Sequence, residues 1–198
     1  MSHRQRARLP RIPLLLMAAV LLGLFITGGS FAFAAQLEDH DPFCASCHTQ
    51  PETTYVDRSQ TASAVDLASV HHQHEGTRCI DCHSGPGLTG RAQTMVQVGA
   101  VDLLAYVSRT AQQPAPLRNP IPDANCLKCH TEVTQTRSFN RHFHAFLSRW
   151  QAVDSQAASC VGCHSSHTTD GDPSVMFLEQ ARTTAVSQSC HDARIRGE

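Results

Sequence analysis

The hydrophobic pattern is dominated by one uncharged run near the N-terminus. Residues 12–35 contain no Asp, Glu, Lys or Arg over 24 positions, which at about 1.5 Å per residue is enough to cross a hydrocarbon core of about 30 Å. Four arginines precede the run and none follows it directly. This asymmetry predicts a cytoplasmic N-terminus and a single membrane-spanning anchor, with the rest of the chain on the extracytoplasmic side.

A cleaved signal peptide is the alternative interpretation of this run. Residues 32–34 read Ala-Phe-Ala, which resembles a small-x-small cleavage site. The run is longer than the roughly 7–15 apolar residues of a signal peptide, so a retained anchor is favoured. The predicted organisation is a cytoplasmic tail over residues 1–11, an anchor over 12–35 and an extracytoplasmic domain over 36–198. The short acidic segment over residues 36–42 keeps the start of that domain close to the membrane surface.

Beyond the anchor, two stretches have helical periodicity. Residues 90–110 and 138–153 place apolar side chains at spacings of three and four. The proline-rich segment between them predicts an extended connection, and no stretch has the alternation of a strand. We therefore expect a mostly α fold with little regular structure.

Composition limits what this domain can bury by itself. Aromatic residues make up 6% of the chain, and the formal net charge is -1. The near-neutral charge argues against nucleic acid as a partner. The small supply of large apolar side chains predicts a thin protein core, which a bulky apolar cofactor would complete.

Four Cys-x-x-Cys-His motifs identify that cofactor as haem c. In such a motif both thiols add to the haem vinyl groups, and the adjacent histidine becomes an axial iron ligand. A zinc ribbon also uses Cys-x-x-Cys pairs but does not require histidine after each second cysteine, and a thioredoxin-like dithiol would need a βαβ pattern. The motif residues are Cys44, Cys47, His48; Cys79, Cys82, His83; Cys126, Cys129, His130; and Cys160, Cys163, His164.

Two further features bear on the number of haems. The chain has 13 histidines, and those outside the motifs could supply second axial ligands, since low-spin haems use His or Met there. A ninth cysteine, Cys190, precedes His191 in a motif-like stretch whose first cysteine is replaced by Ser187. Either this stretch is a decayed site or free thiol, or it binds a fifth haem through one thioether.

The order of anchor, short spacer and four motifs, with a histidine-rich run before the second, resembles the NapC/NirT/NrfH family. These are membrane-anchored multihaem cytochromes c that oxidise membrane quinol and pass electrons to periplasmic reductases. The resemblance covers the anchor and nearly all of the domain. It implies the same cofactor, a bacterial cytoplasmic membrane location, and an extracytoplasmic redox protein or reductase as partner, with the chain part of a complex.

The resemblance also implies roles for particular residues. His74 stands where the family has a histidine that ligates a haem distant in sequence. Met95 stands at the offset of the distal ligand to the second haem, and Asp102 at that of an aspartate beside the first haem in the quinol pocket. On one α-helix Met95 and Asp102 would share a face about 10 Å apart. His167 resembles the family's late distal histidine. The alternatives are a core residue for Met95 and a solvated carboxylate for Asp102.

The sequence departs from the family directly after the first motif. NrfH-like members have a methionine ligand two positions after the motif histidine, where this chain has Gln50. His48 is then the predicted ligand of the first haem. Further candidate ligands are His71 and the pair His142 and His144, of which the pair would serve the first haem or a fifth one. His71 and its neighbour His72 cannot both bind one iron from the same side, so at least one of these two is a spare.

The sequence thus predicts a tetrahaem electron-transfer protein that oxidises membrane quinol, with Asp102 as the proton acceptor. One alternative is an electron-wire subunit of four or five haems in a larger respiratory or photosynthetic complex, similar to the pentahaem subunit of alternative complex III. Another is a catalytic multihaem reductase, which the absence of a lysine-terminated attachment motif disfavours.

Overall fold

Helices dominate the structure. The computed structural model describes residues 11–136, 142–169 and 172–195, and it is 67% helical. Among these residues there is no strand, only an isolated antiparallel bridge between His164 and Leu178. The prediction of a mostly α fold is confirmed, but the chain has more regular structure than the sequence indicated, because the first, second and fourth motifs lie in short helices and the third begins at the end of another.

The first helix, α1 (Arg11–Glu38), contains the uncharged run. Within Ile12–Glu38, an 18-residue window has a mean hydropathy of 2.3 and is 0% buried, and by length and composition the helix could cross a membrane. It continues beyond residue 35 into the short acidic segment, since Gln, Leu and Glu are good helix formers. The chain divides after Asp39 into two compact units.

The second unit consists of short helices joined by turns. Several begin with an acidic residue in the first turn, which suits the partial positive charge of a helix N-terminus. In order they are α2 (Asp41–Cys47), α3 (Glu52–Ser59), α4 (Leu67–Glu75), α5 (Cys79–His83), α6 (Gly87–Thr94), α7 (Ala100–Val107), α8 (Asp123–Cys126), α9 (His142–Val153), α10 (Cys160–Cys163) and α11 (Gln180–Ile195), with 3-10 turns at Thr131–Gln135 and Pro173–Val175.

The first predicted helix of this unit is interrupted. Helices α6 and α7 are joined without a break by a π-helical turn, Met95–Gly99. A π turn contains more residues than an α turn, so the residues before and after it shift in angle relative to one another. Met95 and Asp102 therefore do not lie on one uninterrupted α-helix, and the expectation that they share a face of such a helix is wrong.

The second predicted helix is confirmed over α9, whereas residues 138–141 lie outside the described part of the chain. The connection between α7 and α8 has no helix or strand, as its prolines predicted.

Few apolar side chains are buried in the described residues. They are Val56, Met95, Leu147 and Phe177, and the buried polar or charged residues outnumber them: Asp41, Ser59, Asp66, Ser69 and Ser84. The best-buried pair, Asp66 and Ser69, forms a capping box at the start of α4. The protein core is thin, as the composition predicted.

Candidate functional site

Each Cys-x-x-Cys-His motif occupies about one helical turn. In the first, third and fourth motifs, the backbone N–H of the motif histidine donates to the carbonyl of the first cysteine, at 3.3, 3.0 and 2.8 Å. Residues three apart on such a turn lie on the same face, so the two cysteines of a motif point the same way. None of the eight motif cysteines is in a disulfide.

Carboxylates join the first motif to the second and the third to the fourth. The backbone N–H of Cys79 donates to Oδ1 of Asp41 at 2.9 Å. In the same way, the backbone N–H of Cys160 donates to Oδ1 of Asp123 at 2.8 Å. The sequence reasoning missed both aspartates, although each stands three residues before the first cysteine of its motif.

An amide joins the second motif to the third. The Asn125 side chain donates through Nδ2 to the carbonyls of Cys82 and Ser84, at 2.9 and 2.7 Å. The helices that carry successive motifs are therefore neighbours in chain order, from first to second to third to fourth.

The thiols of these neighbours also interact. The Cys79 thiol hydrogen-bonds with Cys44, and this bond together with burial and the Asp41 charge raises the pKa of Cys79. The Cys160 thiol hydrogen-bonds with Cys126, and this bond together with burial and the Asp123 charge raises the pKa of Cys160. The hydrogen bond from Cys160 in turn lowers the pKa of Cys126 to about 7.

Three of the four motif histidines face a histidine from elsewhere in the chain. The ring centroids are 6.2 Å apart for His83 and His167, with an interplanar angle of 13°. They are 6.1 Å apart for His144 and His164, at 10°. His71 and His130 form the third pair, at 5.9 Å and 83°. Rings in direct stacking contact lie closer together than these pairs: the ring centroids of Tyr55 and His167 are 4.2 Å apart.

The His167 ring is held by a stacked arrangement that the sequence did not predict. Tyr55 packs against it with an interplanar angle of 4°, and the Arg58 guanidinium lies 5.0 Å from the Tyr55 ring centroid. Arg58 also donates to the His167 carbonyl at 2.9 Å. Burial, and secondarily the nearby His83, lowers the pKa of His167 to about 4. Its Nδ1 atom is buried and has no hydrogen-bond partner in the described part of the chain.

Backbone carbonyls fix the tautomer of a histidine in each of the other two pairs. His71 donates through Nδ1 to the Leu67 carbonyl at 2.9 Å, and His164 donates through Nδ1 to the Met176 carbonyl at 2.8 Å. Met176 and the next residue, Phe177, have φ values of 57° and 56°, a conformation that non-glycine residues rarely adopt. A ring whose Nδ1–H is held in this way presents Nε2 as a metal ligand.

The first motif differs because its histidine faces a carboxylate. His48 Nε2 lies 3.4 Å from Oδ2 of Asp102, and the other carboxylate oxygen, Oδ1, lies 3.4 Å from Nε of Arg118. The Asp102 side chain is 23% exposed. Gln113 donates to the Cys47 carbonyl at 3.2 Å and so ties the connection before α8 to this motif. Arg118 and Gln113 were not anticipated, since their contacts depend on how that connection folds back.

The remaining predicted residues lie apart from these pairs. Met95 is buried at 8% exposure, but the ring that faces His83 belongs to His167. His74 is exposed on α4, and His142 stacks on its neighbour Phe143 at 4.6 Å. His191 is exposed on α11, and the Cys190 side chain lies outside what the structure describes.

Within the described residues, no three His, Cys, Asp or Glu side chains form a group that could hold a metal ion; the recurring arrangement is the histidine pair. Comparisons with protein-family models, curated proteins and solved structures found no match to this chain.

Proposed function

We propose that this chain is a membrane-anchored c-type cytochrome with four haems, which carries electrons from membrane quinol to an extracytoplasmic redox protein. The observation that carries the proposal is the set of three histidine pairs, each made of one motif histidine and one distant histidine. Metal–imidazole bonds of about 2 Å on opposite sides of one metal put the two ring centroids about 6 Å apart. The observed separations match this spacing.

The pairs give a ligand set for three haems. His83 and His167 would hold the second haem, His130 and His71 the third, and His164 and His144 the fourth. The Nδ1 atom of His167 is buried and has no hydrogen-bond partner among the described residues. A polar atom left unpaired in this way suits a site that a bound cofactor would complete. In this proposal His167 replaces Met95 at the second haem, and His71 rather than His74 is the ligand contributed by α4.

The thin core supports the same cofactor. Only four apolar side chains are buried among the described residues, and a unit of this size ordinarily needs more buried apolar surface to be stable. Four porphyrins would supply it, held through the eight thiols of the motifs. Such haems, when bound, supply one-electron redox chemistry, with potentials set by axial ligands and burial.

The surroundings of the first motif suit quinol oxidation. A quinol that loses electrons must also release protons, and Asp102 is a carboxylate placed to accept one. The Arg118 guanidinium holds the other carboxylate oxygen and keeps the side chain directed at His48. This motif is the one whose histidine faces a carboxylate instead of a second histidine, which sets it apart as the place where electrons would enter.

The outer face of α7 supports access from a membrane. The side chains of Leu103, Leu104 and Val107 are 57%, 69% and 70% exposed, while Asp102 on the same helix is directed at the first motif. A cluster of exposed large apolar side chains is typical of surfaces that contact a membrane or a partner. Quinol dissolved in the bilayer would thus reach Asp102 along this helix.

The test has two steps. The mass of the denatured chain gives the number of attached haems, and we expect four, with Cys190 open to alkylation. Reduction of these haems by a quinol analogue is then followed in the purified protein. Asp102→Asn should slow it by about 100-fold or more, the usual contribution of a general base, with an unchanged haem spectrum.

The matched control is Asp57→Asn, which alters an exposed aspartate on α3. Equal rates in wild type and Asp102→Asn would exclude Asp102 as the proton acceptor. If reduction occurs only when other subunits are added, the electron-wire alternative is favoured. A colourless chain that contains no iron would end the proposal altogether.

A further inference from the structure

The four motifs fall into two matched pairs. An aspartate stands three residues before the first cysteine in the first and third motifs, as Asp41 and Asp123, whereas the second and fourth motifs have Gly76 and Ala157 at that position. Each aspartate lies on the first turn of its own motif helix, α2 or α8. The same spacing thus recurs in alternate motifs.

Each aspartate bonds to the following motif instead of its own. Oδ1 accepts the backbone N–H of the first cysteine there, Cys79 at 2.9 Å or Cys160 at 2.8 Å. These two cysteines are the first residues of α5 and α10, where N–H groups have no partner within the helix. The carboxylate therefore fixes the start of the neighbouring motif helix.

The second carboxylate oxygen of each aspartate also lies near a side-chain nitrogen from another helix. Oδ2 of Asp41 lies 3.7 Å from Nδ1 of His72, and Oδ2 of Asp123 accepts from Nε2 of Gln151 at 2.7 Å. Asp41 is only 6% exposed. Asp123 is thus hydrogen-bonded at both oxygens, and Asp41 is restrained by one hydrogen bond and by burial; both have limited freedom to rotate, so the N–H groups that they bind are also held in place.

The paired cysteines approach one another through sulfur. The thiols of Cys44 and Cys79 are within hydrogen-bond distance, as are those of Cys126 and Cys160. At the junction between the pairs the contact is different, because Asn125 donates to two carbonyls there and no carboxylate takes part in that contact.

We propose that Asp41 and Asp123 are positioning residues that set the distance and orientation within two haem pairs, the first with the second and the third with the fourth. This inference rests on the proposed function, because it concerns covalently attached haems. A haem bonded to the first cysteine of a motif moves with that sulfur, and the aspartate fixes where the sulfur of the next motif lies. The protein would therefore work as two closely coupled haem pairs joined at Asn125.

The test uses the full-length chain with its haems attached. Haems in fixed proximity give a coupled circular dichroism signal in the Soret band. We expect Asp41→Ala and Asp123→Ala each to remove about half of this signal, and the double variant most of it, since the two sites are independent. Asp41→Asn and Asp123→Asn keep an acceptor oxygen and should retain the signal.

The matched control is Asp154→Ala. Asp154 is exposed and accepts the backbone N–H of Gln156 at 2.8 Å, but it does not belong to a motif. This variant should leave the signal unchanged. All variants are first checked by denatured mass for four attached haems.

Three outcomes overturn the inference. The signal could persist in both alanine variants that carry four haems, the asparagine variants could lose as much as the alanine variants, or Asp154→Ala could lose as much as either. If the alanine variants do not attach haem, Asp41→Glu and Asp123→Glu decide, since the longer side chain displaces the bound N–H. An altered signal then supports the inference and an unchanged one overturns it. Absence of haem from the wild type would instead overturn the proposed function.

Discussion

Histidines that are close in sequence have different surroundings in this fold. On α4, His71 donates to the carbonyl one turn earlier and faces His130, whereas His74, three residues further on, is exposed. Spacing from the second motif favoured His74, because it matched the offset expected from the family resemblance. Which histidine of α4 faces His130 depends on how α4 packs against the third motif. Spacing along the sequence does not specify this packing.

The proposed pairing predicts the effect of removing one ligand. His144→Ala takes away the second ligand of the fourth haem alone, so one haem more than in the wild type should become five-coordinate and bind carbon monoxide. A carbon monoxide difference spectrum, scaled to the haem count, measures this. His142→Ala, two residues away on the same helix, is the matched control and should bind no more carbon monoxide than the wild type. Carbon monoxide binding above the wild-type level in both variants, or in neither, would contradict the pairing of His144 with His164.

At the scale of elements, α6, the π turn and α7 form one continuous helical segment. It connects the buried Met95 with the exposed apolar side chains of α7. The π turn at Met95–Gly99 changes the register between its two halves. Met95, the first residue of the π turn, is buried, whereas Asp102 on α7 lies next to His48 of the first motif. Sequence periodicity predicted the helix but not the π turn, because a wide turn depends on packing more than on local preference.

The exposed face of α7 predicts a defect in quinol oxidation that spares the haems. Leu104→Glu replaces a side chain that is 69% exposed. Because burying a leucine contributes at least about 1.5 kcal/mol, its loss should weaken contact with lipid by about tenfold. The rate of haem reduction by membrane quinol should fall accordingly in vesicles, while reduction by dithionite stays normal.

Val153→Glu is the matched control, since Val153 is 91% exposed at the end of α9. Equal effects of the two variants would mean that the change in surface charge, rather than the position on α7, lowers the rate. An unchanged rate in Leu104→Glu would remove the proposed lipid contact.

For the whole molecule, two compact units follow one another along the chain. The first contains an apolar helix with no buried side chains, and the second contains the four motifs around a thin protein core. So few buried apolar side chains are consistent with the proposal that bound haems complete the core of the second unit.

This division predicts that the two functions of the chain can be separated. A secreted form of residues 40–198 should attach four haems and remain in the supernatant after alkaline carbonate extraction, whereas the full chain should stay with the membrane. The truncated form should accept electrons from dithionite but not from quinol confined to vesicles. Full chain in the carbonate supernatant would instead favour the cleaved signal peptide, and truncated chain without haem would show that attachment requires residues 1–39.

The amino-acid sequence determined those features that depend on neighbours along the chain. The apolar run, the four Cys-x-x-Cys-His motifs, the helical stretches and the thin core could all be recognised in the sequence, because spacing and composition do not depend on the fold. Only the tertiary structure decided which histidine faces which motif, that His48 faces Asp102, and that Asp41 and Asp123 each hold the next motif. These contacts join residues that are tens of positions apart, and their geometry follows from how the short helices pack.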